Sequence, residues 1–420
     1  MQRHDADGAT AWTSKRCGNL MRGSVALASH IPLAVVAATF LFNLGQGVLR
    51  PSLPLYLREF FAANYQMVTL IPVVFGAGKW IASLPTGYLQ DRLGRRQMMA
   101  AGLVVMALVD IASAFTLVYV AFLGLRAIGG VGWAMFATVA TTAVLGHQGA
   151  ARRGRTVSLL LMSETLGLLV GTTAGGVFYQ HAGKTSPFFL EACCMAIAIV
   201  AVAWQSNSLG GRQAAKRPPA GDRNALKSAL AIPGVLLMSL VSGTLIAIQV
   251  GVFVFLYPLY LAQWGHLRPE TVGYFISLSV LGRLLSLWLG GSLSDRWGRL
   301  AVLVPGLLLY GAILGTLVLI TDPVLLGGWS FLIGAGSGLV ASIPTAVIGD
   351  RVPSEVQGVA VGWLRTVNDS GMIVGPLVFG AVADAVHLAA PFVLAAGLLI
   401  IVAWRCQQGR RGEASHAEVA

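Results

Sequence analysis

Apolar residues run through this chain in long stretches, and polar residues gather in short clusters between them. A helix needs about 20 predominantly apolar residues to cross a bilayer. On that rule the pattern predicts twelve helical spans, at 31–57, 66–90, 98–115, 117–143, 156–180, 187–206, 231–262, 270–294, 300–320, 324–348, 358–383 and 388–405. Two polar segments break the rhythm. Residues 1–30 read as a loose arm, and no small-residue cleavage site follows the first apolar run, so a signal peptide is not expected. Gln205 to Lys227, with Gly210-Gly211, Pro218-Pro219 and five Lys or Arg, reads as a flexible linker. The expected organisation is a tail (1–30), a six-helix half (31–206), a basic linker (207–230), a second six-helix half (231–405) and a tail (406–420).

The halves repeat. Gly87-Tyr-Leu89-Gln-Asp91-Arg92-Leu-Gly94-Arg95 returns 204 residues later as Gly291-Ser-Leu293-Ser-Asp295-Arg296-Trp-Gly298-Arg299, with six identities in one register. The same shift relates Pro54-Leu55-Tyr56-Leu57 to Pro258-Leu259-Tyr260-Leu261, Gly130 to Gly334, Gly171 to Gly375 and Lys79 to Arg283. A duplicated membrane domain accounts for this.

Composition agrees: 56% of the 420 residues are hydrophobic and 11% charged, where a soluble domain carries roughly 25% charged residues. The chain is expected to be an all-α, multi-pass membrane protein in a plasma or bacterial inner membrane, with the lipid bilayer as its surroundings. Lys and Arg stay in cytoplasmic loops. Taking the N-terminal tail and every second loop as one side places 21 of the 29 basic residues there, against Arg58, Lys184 and Arg268 on the other. Both termini are therefore expected in the cytoplasm. The formal net charge of +12 records this topology and contact with anionic lipid, and nucleic acid is not needed to explain it. Cys17, Cys193, Cys194 and Cys406 show neither a disulfide framework nor metal-ligand spacing, so no metal and no cofactor is expected.

Twelve spans in two halves, with Gly-x-Leu-x-Asp-Arg-x-Gly-Arg after the second and the eighth, resemble the major facilitator superfamily across the whole chain. The resemblance implies that fold, a small-molecule substrate, a monomer, and a gating loop at each copy of the block. Gating would fall to Gly87, Asp91, Arg92, Gly94 and Arg95 and to Gly291, Asp295, Arg296, Gly298 and Arg299. Asp91 would meet the N-terminus of span eleven, where a helix dipole favours an anion, while Arg92, Arg95 and Arg96 reach cytoplasmic groups. Glycine at position 87 would let helix backbones approach closely. In span four, Arg126-Ala-Ile-Gly129-Gly130-Val-Gly132 resembles a second family motif, whose arginine often faces a proton-exchanging acid on span one. Here span one has no acid and holds Arg50. Gly171-Thr172-Thr173-Ala174-Gly175-Gly176 partly matches the Gly-Pro-x-x-Gly-Gly signature of drug/proton antiporters, with Thr172 in place of proline; a proline follows Gly375 in span eleven.

A charge at mid-bilayer costs about 3 kcal/mol even on insertion-based scales, and so tends to face a wet cavity. In the implied fold, spans three, six, nine and twelve support the others from outside. The lining spans hold Arg50, Lys79, Arg126, Arg283 and Arg365 against Glu164 and Asp369. Lys79, Ser83, Thr86 and Gln90 form one polar helical stripe. Asn43, Gln46, Arg50, Lys79, Arg126, Gln249 and Arg283 are the candidate substrate-binding residues, and Glu164 and Asp369 the candidate proton-coupling ones. Glu164 shares a face with Gly167, Gly171 and Gly175 and could meet a helix instead; its neighbours are expected to be Arg126 or Lys79. Arg365 and Asp369, four apart, could simply neutralise each other. Asp110 and Glu191, on supporting spans, read as structural. The formal excess of positive charge favours an anionic or zwitterionic substrate over a lipophilic cation.

Gly76-Ala-Gly78-Lys79-Trp80 lies inside an apolar span and lacks the strand a phosphate loop requires, so nucleotide hydrolysis is not the expected energy source. The expected activity is secondary transport by rocking of the two repeats around a midplane site, as proton-coupled antiport exporting a drug-like or anionic metabolite. Proton-coupled uptake of an organic anion or sugar is the alternative. A polytopic membrane enzyme would need a nucleophile or His/Asp pair near the membrane surface, whereas His30, His147, His181, His266 and His387 are scattered. A transporter-like sensor would need a substantial soluble domain.

Overall fold

The computed structural model describes residues 33–146, 150–204, 227–228, 230–232 and 234–419. The tail at 1–30, most of the linker, the surroundings of Gly87 and the side chain of Asp91 lie outside what is described. All the elements described are helices: α1 (Leu33–Phe61), α2 (Tyr65–Leu93), α3 (Arg95–Phe115), α4 (Tyr119–Gly146), α5 (Ala150–His181) and α6 (Ser186–Trp204) in the first half. In the second half, α7 (Val235–Ala247) continues through a π-helical stretch (Ile248–Leu256) into α8 (Tyr257–Gln263). It is followed by α9 (Pro269–Trp297), α10 (Arg299–Leu317), α11 (Pro323–Ala341), α12 (Ile343–Arg351), α13 (Ser354–Ala385) and α14 (Ala390–Val419). Counting α7 to α8 and α11 to α12 as single rods, the order matches the expected spans, and ten rods are long and apolar enough to cross a membrane. Span seven begins at Val235 instead of 231 because Gly234 adopts φ 88°, a left-handed conformation that halts the helix.

The repeat in sequence is a repeat of contacts. On α2 and α4, Gly78 faces Ala127 and Gly130 faces Phe75 so closely that a Cβ would collide with the partner's carbonyl. On α9 and α11 the same is true of Gly282 on Phe331 and Gly334 on Ser279, each number 204 higher. In the first half, Gly167, Gly171 and Gly175 seat α5 on Phe40, Leu44 and Val48 of α1; in the second, Gly371 and Gly375 seat α13 on Gly243 and Ala247 of α7. Small residues are needed there because association within lipid depends on close van der Waals packing instead of on expelling water.

The duplicated block makes the same bend twice. Gly94 has φ 92° and ψ 148°, Gly298 φ 95° and ψ 146°, and each donates its N–H to the residue four before it, Gln90 or Ser294. That region is essentially open to glycine alone, and it lets consecutive helices reverse with a single residue between them.

The halves meet where α2 packs on α13 and α5 on α9. Near the turns at 62–64, 182–185, 264–268 and 386–389, that seam is bonded. The carboxylate of Asp384 on α13 accepts from the backbone N–H groups of Tyr65 and Gln66, at 2.8 Å each, at the start of α2. Tyr65 Oη donates to Gln263 at 2.7 Å, and His181 Nε2 lies 2.8 Å from Glu270 Oε2. Below them, Ser277 Oγ lies 2.7 Å from the hydroxyls of both Thr172 and Thr173. Gly176 abuts Gly273 on one seam, and Gly380 abuts Thr69 on the other.

Candidate functional site: a charged central cavity

Two cavities sharing Arg50 lie between the halves. The first, about 230 Å³, is walled by Gln46 and Arg50 of α1, Phe75 and Lys79 of α2, Asp110 of α3, Arg126 and Trp133 of α4, and by the π-helical stretch. The second, about 290 Å³, is walled by Asn43, Arg50, Glu164, Gln249, Ser279 and Arg283. Their combined size suits a small molecule. All seven residues proposed for substrate contact line one cavity or the other, and so does Glu164; Asp369 is not among the lining residues.

Helix geometry explains the placement. Asn43, Gln46 and Arg50 follow at three- and four-residue steps, one face of α1. Asn43 returns one amide hydrogen to the Thr39 carbonyl at 2.9 Å. The π-helical stretch delivers Gln249, Val250, Phe253, Val254 and Phe255 to the walls, in keeping with the tendency of such segments to occur at functional sites. Gly251 within it approaches Gly375 and Pro376 of α13 too closely for any Cβ.

Several charges have other partners than the sequence suggested. Asp369 is 3.5 Å from Lys79 on the opposite half, not neutralised by Arg365, which is exposed. Lys79 also stands over the Trp133 ring, 4.5 Å from its centroid. Arg126 binds Asp110 at 2.9 Å and Ser113 at 2.6 Å, and so belongs to the first cavity while Glu164 belongs to the second with Arg50 and Arg283. Arg126 and Lys79 are thus not the neighbours of Glu164; the two sets of charges lie on different helix faces. Span three does more than support from outside, because α3 carries Asp110 into the cavity wall. The expected excess of positive charge shrinks once these pairs form. What remains is Arg50 and Arg283, lining the second cavity together with Glu164. Arg283 donates to Gln249 Oε1 at 2.6 Å.

Asp110, read from the sequence as structural, meets Arg126 because the chain reverses at 116–118 and lays α3 against α4. Glu191 on α6 accepts from Gln46 at 2.6 Å across a long sequence separation that no local pattern signals.

In the gating block, Arg299 bonds Ser294 Oγ at 2.9 Å, Asp350 at 2.8 Å and Asp295. Arg96 donates to the Ala203 carbonyl. Arg92 and Arg296 are exposed. A Cβ at Gly291 would meet open space, so the close approach expected of the block's first glycine does not occur in the second copy.

The sequence profile of the Major Facilitator Superfamily matches residues 35–265 and 239–414. The chain is 25% identical over 383 residues to the multidrug resistance protein MdtG of Yersinia enterocolitica, covering 86% of this chain and 88% of that one. It is 23% identical over 371 residues to the MFS-type transporter MJ1560 of Methanocaldococcus jannaschii, with 87% and 94% covered. Its fold resembles the crystal structure of a mutant of the nucleoside transporter NupG, with a TM-score of 0.78, 14% identity, and 90% and 99% of the chains covered. With its duplicated helical halves and their central cavity, the chain belongs to the Major Facilitator Superfamily of membrane transporters.

Proposed function

We propose that this transporter is a proton-coupled exporter of anionic or zwitterionic small molecules. The observation that carries the reading is the second cavity, where Arg50 and Arg283 face a space with Glu164 on the same wall. A substrate carboxylate or phosphate would bridge the two guanidiniums with charge-assisted hydrogen bonds. Protonation of Glu164 would remove the competing negative charge, so proton and substrate would each change the affinity of the site for the other, as coupling requires. Asp369 would be a second coupling group, since its pair with Lys79 joins the two halves and protonation would break it.

With both termini cytoplasmic, the turns at 62–64, 182–185, 264–268 and 386–389 face outward, and the bonded seam beside them closes the outer end. In an exporter, this state would load the cavity from the cytoplasm. Likeness to multidrug resistance proteins supports export. The gating blocks would lie on the cytoplasmic side, where Arg299 and its two aspartates hold α9, α10 and α12 together.

Transport into and out of proteoliposomes tests this, with an imposed pH gradient of either sign and a panel of anionic metabolites and cationic dyes. The reading expects an anion to move against the proton gradient, and Glu164→Gln to abolish that coupling. Carriage of cations with anions ignored would remove the anion assignment. Normal coupling in both Glu164→Gln and Asp369→Asn would move the proton site elsewhere.

A further inference from the structure

At the wall of the first cavity, buried side chains from four helices meet. Arg126 of α4 binds Asp110 of α3, and Gln46 of α1 binds Glu191 of α6. Asp110 is 1% exposed, Glu191 0% and Arg126 5%. Both carboxyl groups belong to one buried cluster, since Gln46, Asp110 and Arg126 line the same cavity and Gln46 bonds Glu191. Yet no protein N–H or O–H reaches Asp110 Oδ2 or Glu191 Oε2, and Arg126 Nε is likewise buried without a partner.

Two carboxylates are both acceptors and cannot bond one another. Burial of both in one cluster favours a proton on one of them. The charges agree: one guanidinium offsets one carboxylate, and a second buried negative charge would be uncompensated in a low-dielectric setting. The other charged or titratable groups near the cluster are few. Arg50 on α1 and Lys79 on α2 line the same cavity, and Lys79 is engaged with Asp369. Cys194 on α6 adjoins Glu191; Ser113 of α3 donates no bond to the carboxyls, its hydroxyl serving the Val109 carbonyl.

We propose that Asp110 and Glu191 form a proton-binding site on the supporting helices, holding one proton between them in this state and releasing it through Asp110 to the water of the first cavity. On release, a carboxylic acid becomes a carboxylate and the proton goes to cavity water; no other bond is made or broken. The cluster gains a negative charge, which draws Arg126 inward and tightens the hydrogen bond from Gln46 to Glu191. Because α3 and α6 flank the helices that rock, the site reports its occupancy to both cavity walls. This deepens the proton-coupled reading above and rests on it for its consequence in transport, although protonation itself can be read without transport.

The test is infrared difference spectroscopy on the full chain in liposomes, titrated with acid and base and, separately, with sodium chloride. The native protein should show the carbonyl stretch of a protonated carboxylic acid. That band should be lost in Glu191→Gln, lost or displaced in Asp110→Asn, and retained in Glu164→Gln. Isotopic labelling of aspartate and glutamate carboxyls in the native protein should displace it, which keeps the test valid if a variant fails to fold. Absence of the band in the native protein, its persistence in both Glu191→Gln and Asp110→Asn, or its loss on adding sodium at constant pH would overturn the proposal, the last by making the ligand a metal cation. If the band behaves as expected but transport ignores the proton gradient, the site stands and the exporter reading fails.

Discussion

Arg50 and Arg283 come from different halves of the repeat, and neither pairs with a carboxylate among the described residues. A charge-assisted hydrogen bond contributes about 1.5–3 kcal/mol, so Arg50→Gln and Arg283→Gln should each weaken binding of an anionic substrate by roughly 10- to 100-fold. Equilibrium binding to the purified protein measures this; unchanged affinity in both variants would remove the anion site. Gln249→Leu should destabilise the fold instead, because Arg283 then loses its acceptor in a buried setting, at about 1–3 kcal/mol, visible as a lower Tm. At this scale the sequence told which residues were charged inside the membrane, since a charge amid apolar residues stands out. It did not tell which charge meets which. Asp369 lies four residues from Arg365 along one helix and is paired with Lys79 on another, because the seam between halves brings that lysine closer.

Glycine spacing decides how the helices pack. Gly78, Gly130, Gly282 and Gly334 each sit against a neighbouring backbone, so Gly130→Leu and Gly334→Leu should prevent the α2–α4 and α9–α11 contacts from forming. Loss of the monodisperse peak in size-exclusion chromatography is the expected result, and normal elution of both variants would show the packing to be more tolerant than the geometry implies. Gly298→Ala should be milder, at about 1–3 kcal/mol of backbone strain. The order of the helices and their rough limits were legible because hydropathy reports what faces lipid. The π-helical stretch at Ile248–Leu256 was not, because its residues are as apolar as their flanks and nothing in their pattern marks a change of winding. Thr172, read as a departure from a proline motif, turns out to bond Ser277 across the seam, a role proline cannot fill.

At the scale of the whole molecule, the two halves are bonded to each other at one end. The carboxylate of Asp384 caps the start of α2, where backbone donors are free and the helix dipole favours a negative charge. Asp384→Asn should weaken closure by about 1.5–3 kcal/mol, shifting the balance between the two states by roughly 10- to 100-fold toward opening at that end. Spin labels at Ala182 and Arg268, with the native cysteines replaced, should report a longer distance; no change would assign closure to the glycine contacts alone. By itself, the sequence determined that the chain is an integral membrane protein of duplicated helical halves, because lipid solvation imposes long apolar spans and a duplication leaves the same residues at a constant shift. Only the tertiary structure decided which end is closed, that α3 contributes Asp110 to the cavity wall, and that Asp110, Arg126, Gln46 and Glu191 converge. These depend on how helices rotate and lean on one another, and a periodicity that assigns residues to a face cannot say what that face will meet.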